Sequence, residues 1–357
     1  MPPVLGLAAF IIAVFLNIPY MDVALAGLIP ALLFLSGVTC GVLVNAYQEN
    51  LPKLSETIDT EAIKRLLPAF ILSFGVVLIL LVGYYSPSFA GLLGIAVTLA
   101  VCPLQGKYRP TRKALYDSFS EGLALITLLS LLLIAIGPLA QTFQTTNLAQ
   151  RLGVLLSQVV PDSKLLMLTG AMVVSLLLGM GLPTPVAYLV VALSLVPFLM
   201  ETGVEAIVAH FFVFYFAVFS TLTPPVAISA LAAAKLSGGS FLGTTLDAMK
   251  LMLTTFIIPF AFSYHPQLLK FPNIGWDVLP PVALIIVLQI TTSIACYGYF
   301  FGQLTWIDRC MFALLTVAGL FLLIGWSQIE FVGVTVILLI TILRFIVFKR
   351  KSSNNKV

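Results

Sequence analysis

Residues 165–200 read LLMLTGAMVVSLLLGMGLPTPVAYLVVALSLVPFLM, without a single Asp, Glu, Lys, Arg or His. Near the middle stands Gly179-Met180-Gly181-Leu182-Pro183-Thr184-Pro185, which divides the run into two apolar arms, 165–180 and 186–200. A helix needs roughly 20 apolar residues to cross the hydrocarbon core of a membrane, and each arm falls short of that. The glycines permit close backbone approach and positive φ, while the prolines fix the turn. The pattern predicts a re-entrant hairpin with its tip near the membrane midplane. An ordinary loop between two short tilted spans is the competing arrangement, and the lack of charge at the turn favours the hairpin.

Composition agrees with a membrane setting. The 357 residues include 18 Lys and Arg, 14 Asp and Glu, and 60% hydrophobic side chains, so only 9% are charged. A soluble domain carries about a quarter charged residues, and a mean hydropathy of +1.11 leaves too little polar surface for one. Disorder, collagen and a disulfide scaffold are excluded on the same grounds. Leu66–Leu104, Gly122–Gln150, Ala206–Ala234, Leu251–Leu269, Val278–Ile307 and Cys310–Ile329 also lack Asp, Glu, Lys and Arg. Lipid offers the backbone no partners, so only helices or a closed barrel can cross. Runs such as Leu128–Ile136 do not alternate, which excludes the barrel. The fold class is an all-α polytopic membrane protein. Spans are expected at 4–15, 21–44, 66–85, 89–104, 122–143, 165–180, 186–200, 207–236, 249–264, 280–301, 310–325 and 331–348. Cys40, Cys102, Cys296 and Cys310 have no metal-ligand spacing and read as small hydrophobes.

Lys and Arg set the orientation. If 4–15 runs outward and 165–200 enters and leaves on one side, then 45–65, 105–121, 235–250, 302–309 and 344–357 share a side. That side holds fifteen of the 18 basic residues, and only Arg151, Lys164 and Lys270 fall opposite. Basic loops stay in the cytoplasm, so the tail Lys349-Arg350-Lys351 is expected inside. The loop Lys107, Arg109, Arg112, Lys113 reads as an anchor at anionic headgroups before a nucleic-acid site. Trp276 and Trp306 suit the interfacial belt. Asp22 and Asp247 stand at span ends, where a carboxylate serves as an interface cap or as an ion ligand, and the position favours the cap. Phe211–Phe219 reads as a lipid or packing face.

Pro2-Pro3-Val4 recurs as Pro224-Pro225-Val226, and the same register brings Ala8 against Ala230. The two helices that follow run in opposite membrane directions in the topology above, as an inverted repeat requires. Paired prolines remove two backbone donors. Such a break survives at depth only where it is buried or lines a polar cavity. Ser220, Thr221 and Thr223 flank the second break and offer hydroxyl oxygens. Freed carbonyls at the 179–185 turn, with Thr184, make a hard-oxygen setting suited to a small cation.

Leu178–Thr184, His210–Phe216, Leu222–Ala227 and Pro259-Phe260 resemble the large permease of tripartite ATP-independent periplasmic (TRAP) transporters. Pro2-Pro3, Ile18-Pro19-Tyr20 and Leu28–Leu32 resemble the branch in which small and large membrane subunits are fused. The likeness covers residues 1 to 272, and the last three spans match loosely. It implies an inverted-repeat, elevator-type importer of small organic acids (carboxylates), coupled to sodium and served by a periplasmic substrate-binding protein. It places the chain in the bacterial inner membrane with its C-terminus in the cytoplasm. It also implies ion and substrate contacts at Gly179, Gly181, Pro183 and Thr184 in the hairpin, and at Ser220, Thr221, Thr223, Pro224 and Pro225 in the second broken helix. Pro2 and Pro3 represent the first broken helix. Sodium would lie near Thr184, Thr221 and Thr223, with no other cofactor. On this reading 1–44 is a remnant of the first repeat and 45–121 is scaffold. Residues 122–272 form the second repeat with hairpin 165–200 and broken helix 207–236, and 273–357 is a three-helix extension with a basic tail. The first hairpin lies outside the chain, so the fold is expected to be N-terminally incomplete and to need the missing N-terminal permease portion as a partner.

An intramembrane enzyme would need a nucleophile or an ionisable cluster at depth. His210 and His265 are the only histidines, no P-loop is present, and His210 reads as a satisfied interfacial side chain. A structural or assembly subunit remains open for the last three spans. Two outcomes follow. A Cys at Gln150 is expected to react with an impermeant thiol reagent from the periplasmic side, and labelling from the cytoplasm alone overturns the topology. Reconstituted with sodium, a membrane potential and the binding protein, these 357 residues are expected not to drive uptake, and robust sodium-dependent uptake would contradict that.

Overall fold

The computed structural model describes residues 7–51, 59–147, 151, 154–155, 163–300 and 302–325. Among these residues the structure is helical, apart from one isolated bridge between Tyr299 and Gln303. Seven of its helices are long and apolar enough to cross a membrane, or eight if one sharply bent pair counts as a span. Pro2, Pro3, residues 52–58 and the 331–348 span lie outside the described residues.

Helix α1 is Leu7–Leu16, α2 is Tyr20–Ala26 and α3 is Leu28–Gln48. The single span expected at 21–44 is therefore two helices, and α2 is bent by 112° from the helix before it. The physical cause is in the residues between. Asn17 takes a left-handed φ of 52°, Ile18 N–H donates to the Ala13 carbonyl at 3.1 Å and Asn17 N–H to Val14 at 3.2 Å. Those are the paired closing bonds of a Schellman cap, which suits Asn at that position. Pro19 then blocks any continuation. The same cap ends α3, with Asn50 at φ 49° and Leu51 N–H on the Ala46 carbonyl at 3.1 Å. It also ends α4, Thr60–Val82, with Tyr84 at φ 59° and Tyr85 N–H on Leu80 at 3.0 Å.

The described chain contains two compact units. The smaller is drawn from Pro3–Ala24 and Lys53–Leu139. In it α4 pairs with α5, Pro87–Val101. A methyl group on Gly94 would come within 2.5 Å of Val77, so glycine lets the two backbones close up. The Thr98 and Ser73 hydroxyls lie 2.8 Å apart across the same contact. Asp59 caps α4 by accepting from the Ala62 and Glu61 N–H groups, and Tyr108 donates to its other oxygen at 3.0 Å. The Ala62 bond, then the Tyr108 bond, hold this carboxyl below the usual carboxylate range. Asp22 accepts from the Tyr84 hydroxyl at 3.1 Å. Helix α6, Arg112–Thr145, is longer than the expected 122–143 and contains Pro138.

The larger unit is drawn from Leu25–Pro52 and Ala140–Val357. Its later helices are α7 Lys164–Gly179, α8 Thr184–Glu201, α9 Ala206–Phe219, α10 Ile228–Ser237, α11 Phe241–Leu253, α12 Ile257–Tyr264, α13 Leu279–Tyr297 and α14 Trp306–Gly325. The span expected at 249–264 starts eight residues earlier, at Phe241, and is jointed at Thr254–Phe256. Helices α8 and α9 form the centre of the unit. Tyr188, Leu195 and Leu199 on one, and Phe212 and Phe216 on the other, are completely buried. Phe212, Phe216 and Phe219 meet Phe256 and Phe260 with ring centroids 5.0 to 6.0 Å apart, mostly edge to face. That arrangement matches the positive ring edge to the negative face. The phenylalanine run is thus packing. His210 is buried, and its Nδ1 lies 2.7 Å from the Tyr188 hydroxyl.

Candidate functional site

The two interruptions singled out in the sequence meet in the larger unit. Helix α7 has 16 residues and α8 has 18, about 24 and 27 Å of rise, against a hydrocarbon core of about 30 Å. Between them Met180–Pro183 makes a tight turn, with Leu182 N–H on the Gly179 carbonyl at 3.3 Å. Gly181 has a φ of +77°, the left-handed region that glycine enters without strain. Pro183 precedes α8 and accepts from the Val186 and Ala187 N–H groups, both at 2.9 Å.

The opposing element is the interval between α9 and α10. Residues 220–227 leave the helix, the Pro224-Pro225 peptide bond is cis, and Ala227 takes a left-handed φ of 39°. Gly179 lies directly against this break. A methyl group there would stand 2.9 Å from Ser220 Cβ and collide with Ser220 Oγ. On Gly181 it would lie 3.6 Å from Val226. Gly179, Gly181, Ser220 and the 224–226 segment are therefore one site. Thr184 opens α8 beyond the turn, partly exposed, and takes no part in the hydroxyl network of the break.

That network has a definite polarity. Ser220 Oγ donates to Ala217 at 2.7 Å, Thr221 Oγ1 to Val218 at 2.8 Å and Thr223 Oγ1 to Ser220 at 3.0 Å. Each hydroxyl has one proton and two lone pairs. With the proton committed to a carbonyl three residues back, the oxygen is left as an acceptor. Ser220, Thr221 and Thr223 are all buried. Ser229 was not singled out by the sequence reading. Its N–H donates to the Thr221 carbonyl at 3.1 Å and its Oγ to Thr221 Oγ1 at 3.1 Å, stitching α10 back across the break. The available signal was a Ser in the first turn after a broken segment, where hydroxyls satisfy orphaned backbone.

Carbonyls complete the set. Among the described residues those of Met180, Gly181, Leu182, Leu222, Pro224, Pro225 and Val226 accept no hydrogen bond. Prolines cannot donate, and the turns carry the chain out of helical register, so these oxygens are available. No group of three His, Cys, Asp or Glu side chains is placed to hold a metal among the described residues. Asp247 pairs with Lys250 at 2.9 Å within α11. The donor set is uncharged, hard oxygen.

Among the described residues the chain is helical and polytopic, and two of its helix breaks face one another. The chain belongs to the family described as Tripartite ATP-independent periplasmic transporter, DctM component, which matches residues 1–271. Among curated proteins none matches it. The family is one of transport proteins, and this chain is a transmembrane permease component of such a system.

The Gly179 contact generates a coupling prediction. Gly179→Ala overfills the seam, a change that costs about 1–3 kcal/mol, and is expected to lower thermal stability in detergent. Ser220→Gly removes both atoms that the new methyl meets. The double variant is expected to recover at least half the loss, and strict additivity of the two changes would show that tip and break do not touch.

Proposed function

We propose that this permease couples inward movement of small organic acids to sodium, and that the second-repeat site binds the ion between hairpin tip and broken helix. The observation that carries the reading is the set of unclaimed carbonyls beside hydroxyls whose protons are already committed. Sodium is a hard cation that takes oxygen ligands, and neutral ones suit a cargo ion that has to leave again. A buried carboxylate would hold it more tightly and would be expensive to empty. Thr223 Oγ1 and Thr221 Oγ1 are the side-chain ligands, the proline-freed carbonyls supply the rest, and Thr184 contributes from the start of α8. Ser229 keeps Thr221 Oγ1 in place.

Family membership supports the remaining parts. A periplasmic substrate-binding protein delivers the acid, and other TRAP membrane portions complete the permease. The helix breaks adjoin α8 and α9, whose facing side chains are buried together, which supports hairpin and broken helix moving as one body, as an elevator requires. Family membership supports a place in the bacterial inner membrane, and the Lys and Arg division supports a cytoplasmic C-terminus.

In the complete permease, Thr223→Val preserves shape and deletes one ligand oxygen. It is expected to raise the sodium concentration for half-maximal uptake about tenfold, equivalent to about 1.4 kcal/mol. Thr221→Val is expected to do the same, and Thr184→Val to have a smaller effect. Unchanged sodium dependence in both Thr223→Val and Thr184→Val sinks the assignment.

A further inference from the structure

The family match ends at residue 271, yet α13 lies beyond it and is built into the larger unit against α3. Gln289 stands near the middle of α13 and is completely buried. Its amide forks onto α3. Nε2 donates to the Leu33 carbonyl at 2.8 Å, and Oε1 lies 2.7 Å from the Ser36 hydroxyl, whose single proton is shared with the Leu33 carbonyl at 2.8 Å. Turning the amide over would set its oxygen against the Leu33 carbonyl, so the fork admits one orientation. An amide at membrane depth is unfavourable unless its ends find polar partners, and here each end has one on α3.

The α3 surface beneath is shaped to receive it. A methyl group on Gly37 would come within 2.9 Å of Gln289 Nε2 and equally close to Thr255, and one on Gly41 within 2.7 Å of Leu251. Gly37 and Gly41 are four residues apart, the small-xxx-small spacing that lets membrane helices approach backbone to backbone. The groove thus takes Gln289 from α13 and, beside it, the Thr254–Phe256 joint between α11 and α12. α14 backs the arrangement. Arg309 donates to the last carbonyls of α13, Ala295 at 3.1 Å and Cys296 at 2.9 Å, and His265 Nε2 lies 2.8 Å from the Leu323 carbonyl.

We propose that Gln289 is the key by which α13, outside the family match, docks in the Gly37–Gly41 groove of α3, making it a fixed brace over the α11–α12 joint. The role is that of a positioning residue. A span appended only to thread a tail through lipid has no need of a matched amide, nor of glycines on its neighbour. The brace is independent of the sodium reading, since none of its residues belongs to the hairpin or the broken helix.

The connecting segment offers the test, because 272–277 is exposed. A protease site is inserted between Asn273 and Ile274 of the full chain, the purified protein is cut in mild detergent, and the halves are followed by gel filtration. The cut parent is expected to elute as one species. Gln289→Leu and Gly37→Leu are each expected to reduce the retained C-terminal half at least about tenfold, with Ser36→Ala between them and the parent. Uncut samples of each variant report folding. If uncut Gln289→Leu is not monodisperse, Gln289→Met, which keeps the length and loses the fork, is read in its place. Separation of the parent halves on cutting overturns the proposal. So does retention at the parent level in Gln289→Leu, or in Gln289→Met where that variant replaces it.

Discussion

A backbone N–H or C=O inside a membrane has to find its partner within the protein, because lipid supplies none. Most of this chain meets that demand by staying helical. The exceptions are the places where it stops being helical at depth, and each exception has an identifiable repair. At the α9–α10 break the repair is Ser229, which returns an N–H and a hydroxyl to Thr221. At the ends of α1, α3 and α4, outside such breaks, Asn17, Asn50 and Tyr84 close the helix with the paired bonds of a left-handed cap. What the repairs leave over is informative. The oxygens at Met180–Leu182 and Leu222–Val226 that no N–H claims belong to the two segments that Gly179 and Gly181 bring together.

Glycine decides how closely the elements approach. Gly179 brings the hairpin tip onto Ser220, Gly94 brings α5 onto α4, and Gly37 with Gly41 brings α3 under α13. In water, apolar burial would drive such contacts. In lipid the tails are as apolar as the side chains, so close packing and matched hydrogen bonds carry the association. The glycine contacts are accordingly accompanied by polar ties, Thr98 to Ser73 in one case and Gln289 to Leu33 and Ser36 in another. The exposed ion pairs of Glu61 with Lys107 and Arg65 contribute little by comparison, since water screens them.

The helical, membrane-spanning character of the chain was legible in its charge-free runs, and the two central breaks were legible in Gly179–Pro185 and Pro224-Pro225. Both signals are local, since proline lacks a donor and glycine lacks a Cβ wherever they stand. The division of 21–44 into α2 and α3 at Gly27 was missed because hydropathy stays high across it. The partner of His210 was not legible, since nothing in its own neighbourhood names Tyr188.

By itself, then, the sequence determined the class of fold, the positions of the breaks, the kind of atoms they free and the family to which the chain belongs. Tertiary structure alone decided that hairpin tip and broken helix face one another, that Ser229 closes the break, and that Gln289 finds its partners on α3, 256 and 253 residues away along the chain. The physical reason is the range of the interactions. Propensity and hydropathy act over a few turns of helix, whereas a glycine contact or an amide fork exists only once two distant helices have been brought to a particular register.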